Sequence, residues 1–200
     1  MGRPLFDEAG FLEAARILAS EHGPGAVTVD SVTQRMKAPK GSFYHRFSSR
    51  DVLLGRLWLK LVLAYQEGFV AAIEAGAGVE AALHMPRWAR AHVDDARILL
   101  LYSRHDFVQG DWPAELRRGV RDQADRFQEC LGRFARDTFG RAGPRQVRCA
   151  RFVLAEVPGA AIKGHLEQGE APPPIVDELI TKTYYAIVES GRQQSFPTIG

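Results

Sequence analysis

The stretch from Thr28 to Trp58, TVDSVTQRMKAPKGSFYHRFSSRDVLLGRLW, constrains this chain more than any other. Val29, Val32 and Met36 share one helical face, and Thr28 precedes them as a cap whose hydroxyl can accept from a free N–H of the first turn. Pro39 interrupts that helix, because it lacks an N–H and forces its neighbour out of helical geometry. A short helix is expected from Lys40 to Arg46. Ser49 is then placed to cap a long amphipathic helix, with Asp51 in its positive first turn. Two short helices around a tight turn, followed by a long one, are the layout of a helix-turn-helix unit.

The remainder carries the same helical signature and no alternating strand pattern. Phe11, Leu12, Ala15, Leu18 and Ala19 form one face of a first helix that ends at the breaker cluster His22-Gly23-Pro24-Gly25. Leu53, Leu57, Leu61, Ala64, Gly68 and Ala72 continue a single stripe along the fourth helix. Further helices are expected over residues 79–93, 96–108, 112–139, 145–168 and 175–191, with Pro158 kinking or breaking the eighth and the tail after Arg192 fraying. The expected fold is all-α with nine helices, a three-helix head on a helical-bundle body. The expected division is a helix-turn-helix head at residues 1–50 and a helical body at residues 51–200.

Charge distribution singles out the same segment. The chain has a net charge of only +2, yet residues 28–60 hold seven Lys and Arg against two Asp, so everything else is net acidic. A basic segment on a near-neutral body is the footprint of a nucleic-acid-reading head, although a solvated helical face would also carry it. A short helix can enter the major groove and present its first residues to base edges. Lys40, Gly41 and Ser42 are those residues: glycine lets the backbone approach, lysine reaches a base edge or phosphate, and serine donates to either. Phe43 and Phe47, four apart, would face inward and leave Tyr44 and His45 outside, suited to phosphates. Taken singly, each of these has an ordinary structural explanation, and their joint occurrence on one short helix carries the reading.

These residues resemble those of the TetR family of bacterial transcriptional regulators. The resemblance rests on Thr28-Val-Asp-Ser-Val, on Lys40-Gly-Ser-Phe-Tyr-His-Arg-Phe47 and on Ser49-Arg-Asp-Val-Leu-Leu54. Ala14-Ala15 and Gly23 add to it, and it covers about residues 5 to 60. It implies that Thr28 touches a phosphate as well as capping, that Lys40, Gly41 and Ser42 face bases or nearby backbone, and that Tyr44, His45 and Arg50 hold phosphates. Three departures stand out. Lys37-Ala38 and Pro39 replace the usual turn glycine, apolar residue and serine, which puts Lys37 in a left-handed position that is mildly strained unless the lysine serves as an extra phosphate contact. Thr33 stands where alanine is preferred, and Asp30 where a basic residue is common.

The same resemblance implies a body that binds a small organic effector and dimerises, so that the effector changes the separation of two heads that must meet half-sites about 34–36 Å apart. The expected pocket residues are the aromatic and amphipathic groups Trp58, Tyr65, Phe69, Trp88, His92, Tyr102, His105 and Phe127, each of which could equally be core. The expected dimer interface is Val147, Leu154, Val157 and Ala161 on the eighth helix with Leu179, Ile180, Thr183 and Ile187 on the ninth, flanked by Ala150, His165, Ile175 and Val188. These faces could instead cover the chain's own core. A helical enzyme is the main rival class, but no Glu-x-x-His metal pair, His-Glu-x-x-His, phosphate loop or nucleophile motif occurs. Cys130 and Cys149 are isolated, which argues against a disulfide framework or zinc site. No cofactor is expected. No apolar run approaches the roughly 20 residues of a membrane span, and the N-terminal residues lack an apolar leader core, so a cytoplasmic protein without a membrane partner is expected.

Overall fold

The structure, a computed structural model, describes residues 6–107, 110 and 112–193. Those residues form helices and connections with no strand. In order they are α1 (Glu8–His22), a 3-10 turn (Pro24–Ala26), α2 (Val29–Met36), α3 (Lys40–Tyr44), α4 (Arg50–Glu74), α5 (Gly78–Ala91), α6 (Val93–Leu101) and α7 (Arg104–Phe107). They continue with α8 (Ala114–Phe139), α9 (Pro144–Arg151), a π-helical segment (Phe152–Glu156), α10 (Val157–Glu167) and α11 (Ile175–Gln193). Two compact units interleave in sequence: Met1–Leu63 with Asp94–Arg121, and Ala64–Val93 with Asp122–Gly200. A linear division near residue 50 separates the short N-terminal helices from the rest, but it does not coincide with these packing units.

Local chemistry starts and stops the helices of the first unit. Asp7 accepts from the Gly10 N–H at 2.8 Å, and α1 ends at Gly23, whose φ of 82° favours glycine. A Cβ there would lie 3.1 Å from the Tyr102 hydroxyl. The Thr28 hydroxyl accepts from the Ser31 N–H at 3.0 Å, while the Ser31 hydroxyl accepts from the Thr28 N–H at 2.9 Å. This closes a capping box in which serine replaces the usual Glu or Gln. Lys37 ends α2 in the left-handed region at φ 53°, the one non-glycine among the described residues with positive φ. Ser49 accepts from the Val52 N–H at 3.3 Å and so starts α4. The core of this unit joins Phe11, Phe43, Phe47, Val32, Leu53, Leu57, Ile98, Phe107 and Trp112.

In the second unit α5 packs with α10 and α11, and the core includes Phe69, Ile73, Leu83, Leu131, Phe134, Leu154, Ile162, Leu166 and Ile180. Three expectations about element bounds are corrected. The sixth helix starts earlier, at Val93, and ends at Leu101. The Ser103 N–H and hydroxyl both donate to the Asp106 carboxylate, at 2.7 and 2.9 Å, and this local pairing opens a separate turn, α7. The expected end of that helix, Val108, lies outside the described residues, as does the tail after residue 193. Pro158 does not break the eighth helix. It sits in the first turn of α10, directly after the π-helical segment, whose wider turn accommodates a residue without an N–H. The third helix is shorter than expected, ending at Tyr44 with His45 as its cap.

Candidate nucleic-acid interface and ligand site

The recognition corner is built on three interlocked phenylalanines. Phe43 and Phe47 meet the Phe11 ring edge-on at 5.7 and 6.0 Å and lie 5.5 Å from each other. All three are buried, so α3 is bolted to α1 by its inward face. The outward face is left to polar side chains. Tyr44 is 58% exposed, its ring edge-on to Phe43 at 5.4 Å. Thr28, Lys37, Lys40, Gly41 and His45 are exposed as well, and Ser42 is half-buried. A Cβ on Gly41 would meet nothing within 4 Å, so packing gives no reason for glycine there. The departure at Thr33 is absorbed inside: its hydroxyl is buried and donates to the Val29 carbonyl at 2.8 Å.

The cations of the corner are not equivalent. The Lys40 ammonium lies 2.6 Å from the Asp30 carboxylate across the turn, which pushes the lysine's pKa above its ordinary value. Arg35 faces Glu21 at 3.8 Å. Lys37 is exposed and has no ion pair among the described residues. Arg50 is turned inward: its guanidinium donates to the carbonyls of Val27 and Pro24, the latter at 2.8 Å, and lies 3.2 Å from Asp51. It therefore brackets the 3-10 turn to the start of α4, a structural task the sequence did not disclose. Sequence reasoning also missed Asp30 as the partner of Lys40; opposite charges ten residues apart become neighbours only once the turn is formed.

A helix that is locked from behind, exposed in front and opened by lysine, glycine and serine is the arrangement of a groove-reading helix. The sequence model described as "Bacterial regulatory proteins, tetR family" matches residues 11–57, the segment that forms this corner. Over these residues the chain is similar to the TetR family. Solved structures with the same fold include FadR from Bacillus subtilis in complex with stearoyl-CoA (13% identity, covering 92% of this chain and 97% of that one, TM-score 0.62). Another is SmeT, the repressor of the Stenotrophomonas maltophilia multidrug efflux pump SmeDEF (19% identity, 98% and 95% covered, TM-score 0.57). A third is a putative TetR-family regulator from Mesorhizobium loti (10% identity, 94% and 95% covered, TM-score 0.59). At these identities the likeness is one of fold. No curated protein matches the sequence.

In the second unit, five of the eight aromatic candidates come together. Tyr65 stacks on Phe69 at 6.3 Å and meets Trp88 edge-on at 5.5 Å. Phe69 lies 5.5 Å from Phe127, and Trp88 lies 5.2 Å from His92. His84, not foreseen, completes the group: its Nε2 lies 2.7 Å from the Tyr65 carbonyl oxygen and its ring 5.2 Å from that of Tyr65. Burial pushes the His84 pKa down, opposed by its hydrogen bond to that carbonyl, and burial also pushes the Tyr65 phenol far up. His84, Trp88 and His92 recur every fourth residue, a spacing that could have revealed the histidine. Gln66 and Gln123 were also missed. Gln66 donates to the Gln123 carbonyl at 3.4 Å, and the side-chain oxygens of both, with the Tyr65 hydroxyl, are buried without a hydrogen-bond partner.

The other three candidates belong to the first unit. Trp58 lies under the Arg104 guanidinium at 5.7 Å, Tyr102 packs at Gly23, and His105 is exposed on α7. A cavity of about 140 Å³ also opens in the second unit, lined by Ile73, Gly76, Gly78, Phe134, Asp137, Thr138, Tyr184 and Arg192. None of the eight candidates lines it.

The expected dimer residues divide by exposure. Leu154 and Ile180 are buried in the chain's own core, as are Ala150 and Val188. They are occupied within one protomer because the inward stripe of each helix packs on its own unit. Val147, Val157, Thr183 and Ile187 are half-buried, as is His165, and Ala161 is exposed. Among the described residues of the second unit, the large apolar side chains left outside are Leu179, Ile175, Tyr185 and Phe152. Phe152 and Tyr185 were missed, the first because its outward direction depends on the π-helical segment that carries it. Among the described residues no helix is long and apolar enough to cross a membrane.

Proposed function

We propose that this protein is a cytoplasmic, homodimeric transcriptional repressor that binds duplex operator DNA through α3 and is released by a small organic effector held in the second unit. The observation that carries the reading is α3 itself. Its apolar side is used up by the packing of Phe43 with Phe11 and Phe47, while Lys40, Gly41, Tyr44 and His45 are exposed. Thr28, Lys37 and Ser42 flank them as backbone or base contacts. Arg50 supports the corner by holding the 3-10 turn and reaches DNA only if a phosphate displaces Asp51.

The effector reading rests on the Tyr65, Phe69, Trp88, His92 and Phe127 cluster. The Tyr65 hydroxyl, buried without a partner within that cluster, suits a largely apolar molecule with a hydrogen-bonding group. Relatives of the same fold supply precedents, one solved with stearoyl-CoA and one named as the repressor of a drug efflux pump. A dimer would use the exposed apolar residues of α11 and the π-helical segment. No catalytic role is assigned.

The test is a gel shift of purified protein against DNA fragments flanking its own gene, over a range of salt. A discrete complex that weakens steeply with salt, through counterion release, supports the reading. Tyr44→Phe should then weaken the complex by about 1 kcal/mol, one hydrogen bond, and leave the thermal midpoint in place. A second reading, a ligand sensor whose head no longer binds DNA, is favoured by the engagement of Lys40 and Arg50 within the chain. Absence of any shift above a non-specific control would select it.

A further inference from the structure

We propose that Asp30 is an intramolecular competitor for Lys40, a built-in negative charge that duplex DNA must displace and that sets how tightly the head binds. The inference rests on the head binding DNA as proposed above, and names how that site is tuned.

Lys40 opens α3, and its ammonium lies 2.6 Å from the Asp30 carboxylate on the first turn of α2. Both side chains are open to solvent, 63% exposed for the lysine and 73% for the aspartate. An ion pair so exposed contributes little to folding, so stability does not explain its presence. Each partner has an alternative: Asp30 sits in a helical first turn that favours a carboxylate anyway, and Pro39 caps α3 without any side-chain bond that Lys40 would disturb. Lys37, on the same turn, carries its charge with no counter-ion among the described residues. Among the described residues, Lys37 thus keeps its charge without an ion pair, whereas Lys40 arrives already neutralised.

A phosphate or guanine edge approaching Lys40 meets the carboxylate first. Binding exchanges one ionic partner for another instead of adding one, and the neutralised lysine releases fewer counterions from the duplex. Asp30 lowers affinity for any sequence, and does so most for non-specific DNA, where charge supplies nearly all of the binding.

The experiment measures binding of the full-length protein to a short mixed-sequence duplex by fluorescence anisotropy over a salt series. Native protein is compared with Asp30→Asn, Lys40→Ala and the double variant, with Asp30→Ser as a second removal of the charge. Asp30→Asn and Asp30→Ser should bind about two- to fivefold more tightly at low salt, the range that an exposed pair supplies. Their logarithmic salt slope should steepen by about one per head, and their circular dichroism should match the native protein. Lys40→Ala should lose more affinity in the Asp30→Asn background than in the native one. Unchanged affinity and slope in both Asp30 variants, or strictly additive losses, would overturn the competitor role. Weaker binding by Asp30→Asn would overturn it too, and would point to Asp30 accepting directly from a cytosine amino group. If native protein and every variant alike show no salt-sensitive binding, the DNA-reading proposal itself fails.

Discussion

The recognition corner and the aromatic cluster of the second unit are both assembled from phenylalanine, tyrosine and a few polar groups, yet they are finished to different degrees. In the corner, α1 to α3 and the first turns of α4, the buried polar side chains are answered from within: Thr33 by the Val29 carbonyl, Ser20 by the Ile17 carbonyl. The polar groups that could serve a partner stand outside. In the second unit the reverse holds: Tyr65 of the cluster, and Gln66 and Gln123 of the same unit, keep polar atoms buried without a hydrogen-bond partner. A surface that must meet a large, charged, solvated partner can be complete beforehand, because the partner arrives at exposed groups. A site that encloses a small molecule leaves its polar contacts open until that molecule or water supplies them.

The largest expected effect tests how rigid the corner is. Phe43→Ala removes a fully buried ring and should cost about 3–5 kcal/mol, read as a fall in the denaturant midpoint with loss of DNA binding alongside. A small loss would mean that the three-ring lock is redundant. Next, Tyr65→Phe deletes a buried hydroxyl without a partner and should raise the stability of the ligand-free protein by about 1 kcal/mol or more in thermal denaturation. A lowered midpoint would show the hydroxyl already answered by water and remove the contrast.

Gly41→Ala should gain about 0.5–1 kcal/mol in helix stability, since the added methyl meets nothing, while weakening DNA binding. Stability and binding moving together would deny the close approach of DNA at that position. The smallest effect is on pH. Burial holds the His84 pKa below that of the unfolded chain, so the unfolded state binds more protons. Its contribution is fully present above a pH of about 6.5 and is lost as pH falls from there through the depressed folded-state pKa. Thermal melts between neutral and mildly acid pH should show a decline that His84→Gln flattens; an identical decline in the variant would place its origin elsewhere.

Much of the corner was legible in the sequence because its signals are local. The Thr28 cap, the left-handed strain at Lys37, the Ser49 start and the inward pair Phe43 and Phe47 each depend on residues within one turn. Spacing along a helix could not tell which aromatics share a cluster, and so Trp58, Tyr102 and His105 were grouped with residues of the other unit. Nor could it show that Leu154 and Ile180 are spent inside their own protomer. A helical stripe shows which side chains are apolar, not whether an internal or external surface covers them.

By itself the sequence determined an all-helical chain with a helix-turn-helix corner in which α3 turns its aromatics in and its lysine, tyrosine and histidine out. Caps, breakers and periodicity act over a few residues, so they survive without knowledge of the fold. Tertiary structure alone decided the pairing of Asp30 with Lys40, the turn of Arg50 onto the carbonyls of Pro24 and Val27, the passage of a helix through Pro158 and the meetings of Tyr65 with His84 and of Phe69 with Phe127. Each of these joins groups whose approach depends on how whole helices pack, and packing belongs to the assembled chain rather than to any short segment of it.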